Sequence, residues 1–272
     1  MSDRLRTLWD FDDLDATEQR LGAQLGKEPS DPGRAEVLTQ LARVQGLRGA
    51  FEECEKLLVE AETLAGTNAV ACARIDLERG RKLRSSGDVA GSLPLFESSF
   101  ATALAAGQDF VAIDAAHMAA LAAGNSDAFV GWTHRGIELA RSSGTTYWLG
   151  PLYNNLGWEH YERGELSDAL DAFREALDAR ERDPDSPAEI GVARYCVGKT
   201  LRALGRPDEA AALLELCFAS SPGDSFFHEE LAEDYALLGR NDEAAAQAKL
   251  ALELLEEGET ERASRLGELA RS

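Results

Sequence analysis

The chain has 272 residues, enough for one extended domain or two small ones. It is 44% apolar but only 7% aromatic, and 49 acidic side chains against 28 basic ones give a net charge of −21. That charge is repelled by phosphate backbones and anionic lipids, so no nucleic-acid or membrane partner is expected.

Abundant Ala and Leu favour helix, because these residues lose least on helix formation, and alternating Val, Ile and Thr runs are almost absent. An all-α protein is expected. The first stretch, MSDRLRTLWDFDDLD, has acids where a signal peptide would have its apolar run. No long apolar segment follows, and a cytoplasmic protein is expected. Residues 11–26 have the apolar spacing of a short capping helix that KEPSDPG ends, which gives a cap and linker over 1–33.

From there to residue 257 one pattern recurs. Its clearest copy runs through Gly157, Gly164, Ala169, Phe173, Ala176 and Leu177. Downstream the same frame meets Gly198, Gly205, Ala210, Leu214, Cys217 and Phe218, then Ala232, Gly239, Ala244, Ala248, Ala251 and Leu252. Upstream it passes through Gly80, Gly87, Ser92, Phe96, Ser99 and Phe100, and through Ala42, Gly49, Cys54, Leu58 and Ala61. The loosest copy has Ala116, Ala128 and Trp132, with Arg135 where a small residue is expected.

Each copy reads as two antiparallel helices. Gly49, Gly87, Gly164, Gly205 and Gly239 fall in the turn, where positive φ is needed. Asp168, Asp208 and Asp242 stand ready to cap the second helix. Gly157 opposite Ala169 lets the helices approach, and Phe173 and Leu177 fill the space against the next unit. Cys54, Cys72, Cys196 and Cys217 form no CxxC pair and are expected as reduced core residues.

The run Leu156-Gly157, Gly164, Ala169, Phe173 and Ala176 resembles the tetratricopeptide repeat (TPR). The resemblance implies an α-solenoid of about six TPR-like helix-turn-helix repeats with N- and C-terminal capping helices. The repeat domain spans 34–257, with units at 35–66, 73–106, 109–142, 150–182, 191–223 and 225–257, and 258–272 forms the last cap. The glycine spacing is 34 residues from Gly205 to Gly239 but 41 from Gly164 to Gly205. Such long units are similar to those of kinesin light chains and bacterial peptide-sensing regulators. DPDSP at 183–187 is expected as an extending loop.

In tetratricopeptide proteins the concave face, lined by the first helix of each unit, is the usual ligand surface. On the fourth unit Asn154, Trp158 and Tyr161 share the stripe expected to face it, with Asn155 beside them. Tyr195, Lys199 and Arg202 correspond on the fifth unit, Arg74, Arg81 and Arg84 on the second, Phe110, Ile113 and His117 on the third, and Arg43 on the first. Glu36, Glu229 and Glu233 stand mostly at the two ends. The expectation is therefore a locally basic, aromatic groove that captures a peptide carrying acidic residues or a free carboxylate. The NNLG run resembles repeat families in which such an Asn contacts bound peptide. The carboxylate clamp of chaperone-binding members is not found. The competing expectation is that each Arg or Lys pairs with a Glu of the next unit.

Catalysis is not expected. HExxH, GxSxG and Walker-type stretches are absent, and His117, His134, His160 and His228 share no metal-ligand spacing, so no cofactor or metal is expected. His160 is read as a ring packed between paired helices, with Trp158 and Tyr161 turned outward toward a ligand. A protein-binding adaptor or scaffold is the leading function, and a stand-alone sensor of a peptide or small ligand is the alternative. Self-association through an exposed end of the stack stays open.

Overall fold

The computed structural model describes residues 3–182, 187–216, 224–255 and 258–271. Among these the regular structure is helical, and it divides into two compact units, Met1–Trp148 and Leu149–Ser272. In unit 1, α1 (Leu14–Leu25) precedes three helix pairs: α2 (Asp31–Leu47) with α3 (Phe51–Ala65), α4 (Ala69–Ser85) with α5 (Val89–Ala105), and α6 (Asp109–Ala122) with α7 (Ser126–Ser143). In unit 2, α8 (Leu149–Glu162) pairs with α9 (Leu166–Glu181), α10 (Pro187–Ala203) with α11 (Pro207–Glu215), and α12 (Ser225–Leu237) with α13 (Asn241–Glu253); α14 (Thr260–Leu269) follows. Among the described residues the chain forms the expected α-solenoid class, with six helix-turn-helix pairs between flanking helices.

Burial separates the two members of a pair. The second helices bury one stripe at i, i+4, i+7, such as Cys54, Leu58 and Ala61 in α3, or Ser92, Phe96 and Ser99 in α5. First helices are buried on several sides, as in α2, where Val37 through Ala42 are all buried. Phe96 and Phe173 are fully buried, each contributing roughly 2–3 kcal/mol.

In these two hairpins a glycine of the first helix meets the aromatic. A Cβ at Gly157 would lie 2.5 Å from the Phe173 ring, and one at Gly80 would lie 2.5 Å from the Phe96 ring. The expected partner of Gly157 was Ala169; the ring of Phe173, one helical turn further on, takes that place. Ser99 binds the hairpin differently, its hydroxyl donating to the Ala73 carbonyl at 2.8 Å.

The expected turn glycines all have positive φ, from 72° at Gly239 to 99° at Gly87. The capping expectation needs correction. The N-cap is the residue directly after the turn glycine: Ala50, Asp88, Glu165, Arg206 or Arg240. Of these, only Asp88 closes a side-chain cap, accepting the Gly91 N–H at 2.9 Å. Asp168, Asp208 and Asp242 fall inside the first turn, where they complement the positive helix end without capping it.

Cys54 and Cys196 are buried and free, whereas Cys72 is half-buried, its thiol donating to the Gly66 carbonyl at 3.7 Å. Cys217, Phe218, the ends of the units placed at 191–223 and 225–257, and residues 183–186 of the expected loop lie outside the described residues, and Pro187 opens α10.

Candidate functional site

In unit 1 the first helices α2, α4 and α6 turn a set of buried charges to one face. Arg81 lies between Glu78, at 2.5 Å, and Asp114, which also faces Arg43 at 3.8 Å. Burial opposes ionisation of Asp114, yet Arg81 and Arg43 outweigh it and hold the carboxyl below its ordinary range. Burial lowers His117 to about 4, so its ring is neutral near pH 7; it packs 5.5 Å from Trp148. Arg84 is half-buried, and its Nε has no hydrogen-bond partner. The face therefore carries anions as well as the expected cations.

The N-terminal stretch lies along this face. Leu5 is 2% exposed and packs in the cluster with Leu38, Leu41 and Ile75. The Asp3 carboxylate pairs with Arg74, whose guanidinium also faces Glu36 at 3.2 Å. The Trp9 indole donates to Gln40 Oε1 at 2.9 Å, stacks on Phe11 at 4.9 Å, and receives Arg43 over its ring at 5.2 Å. Arg6 donates to the Tyr147 hydroxyl at 2.9 Å and sits over that ring at 4.7 Å.

Asp3, Trp9, Gln40 and Tyr147 were not anticipated as part of this face. Gln40 was legible, being one turn from both Glu36 and Arg43 on α2. The stretch before α1 has no period that would have placed it.

In unit 2 the corresponding face is a ladder of charge. Lys199 and Arg202 of α10 meet Glu230 of α12 at 2.8 and 2.5 Å, and Arg202 also meets Glu233 at 2.8 Å. From the other side, α14 brings Arg262 to Glu229 at 2.6 Å and Arg265 to Glu233 at 3.2 Å. Burial works against the Lys199 ammonium, but Glu230 more than offsets it and raises its pKa. Each expected cation of α10 thus has its counter-ion one repeat downstream, which corrects the picture of a net basic groove. Tyr195 leans on the same acid, its hydroxyl 3.4 Å from Glu230. Below the ladder Asp234 is fully buried with neither carboxyl oxygen hydrogen-bonded. Burial, only partly countered by Arg202, raises it to about 7.

Trp158 and Tyr161 do not stand free. Trp158 packs edge-to-face on Phe173 at 5.2 Å and on Tyr161 at 5.5 Å, and both rings lie half-buried against the Ala169–Phe173–Cys196 cluster. The register places them at the margin of the core instead of fully outward. Asn154 Oδ1 accepts from the Cys196 thiol at 3.5 Å, and Asn155 is half-buried beside it. Burial pushes the Cys196 thiol up to about 12, which keeps it protonated and unreactive.

His160 is not enclosed between helices. Its Nδ1 lies 2.7 Å from Glu165 Oε2, tying the end of α8 to the N-cap of α9. With Asp168 these side chains bring three donor atoms within 4.8 Å, an arrangement that the separation of the histidines did not suggest. Arg163 already pairs with the other oxygen of Glu165 at 2.8 Å, placing a cation beside the trio.

The helix pairing, turn glycines and buried ring of this region coincide with a family match: a tetratricopeptide-repeat model matches residues 152–182. Residues 152–182 belong to the tetratricopeptide-repeat family. Curated proteins give no sequence match. Among solved structures, the chain is similar in fold to the signal-transduction ATPase with a tetratricopeptide-repeat sensor from Pyrococcus horikoshii, at 14% identity, TM-score 0.72 and 89% coverage of this chain. It spans only 39% of that protein's length. BtubC (BKLC) from P. vanneervenii matches at 16% identity and TM-score 0.62, covering 79% of this chain and 90% of that one. Aspartyl phosphate phosphatase F from Bacillus subtilis matches at 12% identity and TM-score 0.58, covering 89% and 63%. Identities this low speak to fold alone. No described helix is long and apolar enough to cross a membrane.

Proposed function

We propose that this protein is a non-catalytic cytoplasmic adaptor that captures a segment of a partner protein on the first-helix faces of its repeats. One observation carries the reading: on unit 1 a stretch of polypeptide already lies along that face, held by an arginine–carboxylate pair, an indole hydrogen bond and a buried leucine. These are contacts a foreign peptide can make equally well. The pairing of Asp3 with Arg74 supports a partner bearing acidic side chains or a free carboxylate. In unit 2, Asn154, Asn155, Trp158, Tyr161 and Tyr195 offer half-accessible amides and rings beside the charge ladder. An acidic segment there has to compete with Glu230 for Lys199 and Arg202.

A peptide array probed with the wild type and with Tyr161→Ala and Lys199→Ala tests this reading. Both side chains lie at the margin of the core, so helicity by circular dichroism is expected to stay unchanged. Loss of about fivefold in affinity for captured segments is expected, since each substitution removes a contact of about 1 kcal/mol. Capture equal to wild type by both variants removes unit 2 from the binding surface, and an array that captures nothing overturns the adaptor reading.

A further inference from the structure

We propose that residues 3–11 are a displaceable ligand of unit 1 held in cis, and that the groove beneath them receives a partner segment of the same chemistry: an acidic side chain, a leucine two positions later and a tryptophan six positions later, as in Asp3, Leu5 and Trp9. This rests on reading the first-helix face as a peptide surface, and names what that face of unit 1 selects.

The stretch satisfies much of its own backbone. Asp3 accepts the Leu5 N–H through its carboxylate at 2.7 Å and the Arg6 N–H through its carbonyl at 3.1 Å, and the turn continues from Leu8 N–H to Leu5 at 3.1 Å. Recognition therefore runs through side chains, and the same side chains on another polypeptide satisfy the groove as well.

The groove keeps charge partners of its own. With the stretch lifted away, Arg74 still faces Glu36 and Arg43 still faces Asp114, so neither arginine is left as an isolated buried charge. An element of the core removed from this site would leave orphans; an exchangeable occupant does not. Of the ion pairs that hold the stretch, those of Arg4 with Glu28 and Glu36 start from a side chain 42% exposed and are screened by salt. The face also continues beyond the stretch. Past Arg43 and Glu78 a cleft of about 450 Å³, lined by Leu47, Phe51, Arg81 and Met118, gives a longer partner segment room that residues 3–11 do not use.

The test uses the full chain and a labelled synthetic peptide of its own residues 2–11, SDRLRTLWDF, read by fluorescence anisotropy. The double variant Leu5→Ala/Trp9→Ala weakens the resident stretch and leaves the groove intact. It is expected to bind the added peptide at least tenfold more tightly than the wild type does. Adding Arg74→Glu, or replacing the aspartate at the peptide's second position by lysine, is expected to weaken binding at least tenfold. Hydrogen exchange on the wild-type chain gives an independent readout: the Leu8 and Trp9 amides are expected to exchange faster than those of α2, and faster still with excess peptide. The proposal is overturned if a double variant of wild-type helicity binds no better than wild type, or if Leu8 and Trp9 exchange only with global unfolding. A concentration-dependent dimer in light scattering that Trp9→Ala abolishes would make the occupant a second copy and overturn the assignment to a partner. Failure here alongside partner capture on unit 2 removes the cis ligand and leaves the adaptor standing.

Discussion

The two units answer the same electrostatic problem differently. Each carries arginines on its first-helix face within a strongly acidic chain. Unit 1 pairs Arg81 with the buried acids Glu78 and Asp114 and lays its own N-terminal residues over the buried Arg74. Unit 2 sets cations of α10 and α14 on either side of acids from α12, with several members half-exposed. A face covered by polypeptide and a face closed by its own ion pairs have different sensitivities, and the contrast shows that counting cations along a stripe does not give the charge a ligand meets.

The largest expected effect comes from removing an acid from either arrangement. Glu230→Ala strips Lys199 and Arg202 of their shared counter-ion and is expected to cost unit 2 roughly 3–5 kcal/mol in urea unfolding. Asp114→Ala leaves Arg81 and Arg43 facing each other and is expected to cost unit 1 a similar amount. If Glu230→Ala is much the milder of the two, the ladder of unit 2 is surface electrostatics and the contrast collapses.

Asp234 sharpens the difference through pH. Its folded pKa, about 7, stands above the ordinary 3.8 of the free carboxyl, so the folded state binds its proton more tightly. Its contribution is favourable at low pH and fades as the pH rises from about 4 to about 7. Asp234→Asn is expected to stabilise the protein by roughly 2–4 kcal/mol above neutrality and to change little near pH 4. Chemical denaturation at two pH values checks this, and an equal gain at both would show that the carboxyl does not titrate between them.

Below these comes the packing that the units have in common. Gly157→Ala and Gly80→Ala each drive a Cβ into a buried ring and are expected to cost about 1–3 kcal/mol, measured as a shift in urea midpoint. The smallest effect separates the units again. Asp88→Ala loses a true cap in unit 1, about 1 kcal/mol, whereas Asp208→Ala in unit 2 loses only a charge near the helix end, a few tenths of that.

What could be read from the sequence follows from period. The spacing of Gly157, Gly164 and Phe173, and its copies at Gly80, Gly87 and Phe96, specifies helix pairs because close packing needs a missing side chain and a ring on facing turns. Register is finer than that pattern. One residue along a helix rotates a side chain by about 100°. Trp158 and Tyr161 consequently ended against Phe173 and not in the open, and the N-cap position of α11 fell on Arg206, which makes no side-chain cap, and not on Asp208. Partnerships across units depend on loop length as well, which is why Lys199 and Arg202 found Glu230 without the stripe revealing it. The stretch before α1 escaped because an irregular segment repeats nothing, although its Leu5 is buried and its Trp9 is hydrogen-bonded to Gln40.

At the far end of that stretch Thr17, fully buried in α1, holds Asp10 from both sides: its hydroxyl accepts the Asp10 N–H and donates to the Asp10 carbonyl, each at 2.8 Å. Residues 3–9 therefore hang from a fixed point beside their own groove. A short tether of this kind keeps a segment at an effective concentration on the order of millimolar around its site. A free peptide of equal affinity, present at micromolar levels, loses that competition through mass action alone. A successful partner brings either additional length, reaching the cleft past Arg43, or a second attachment elsewhere on the chain. Occupancy is then governed by how many points of contact a partner presents, and weak single motifs met by chance are filtered out.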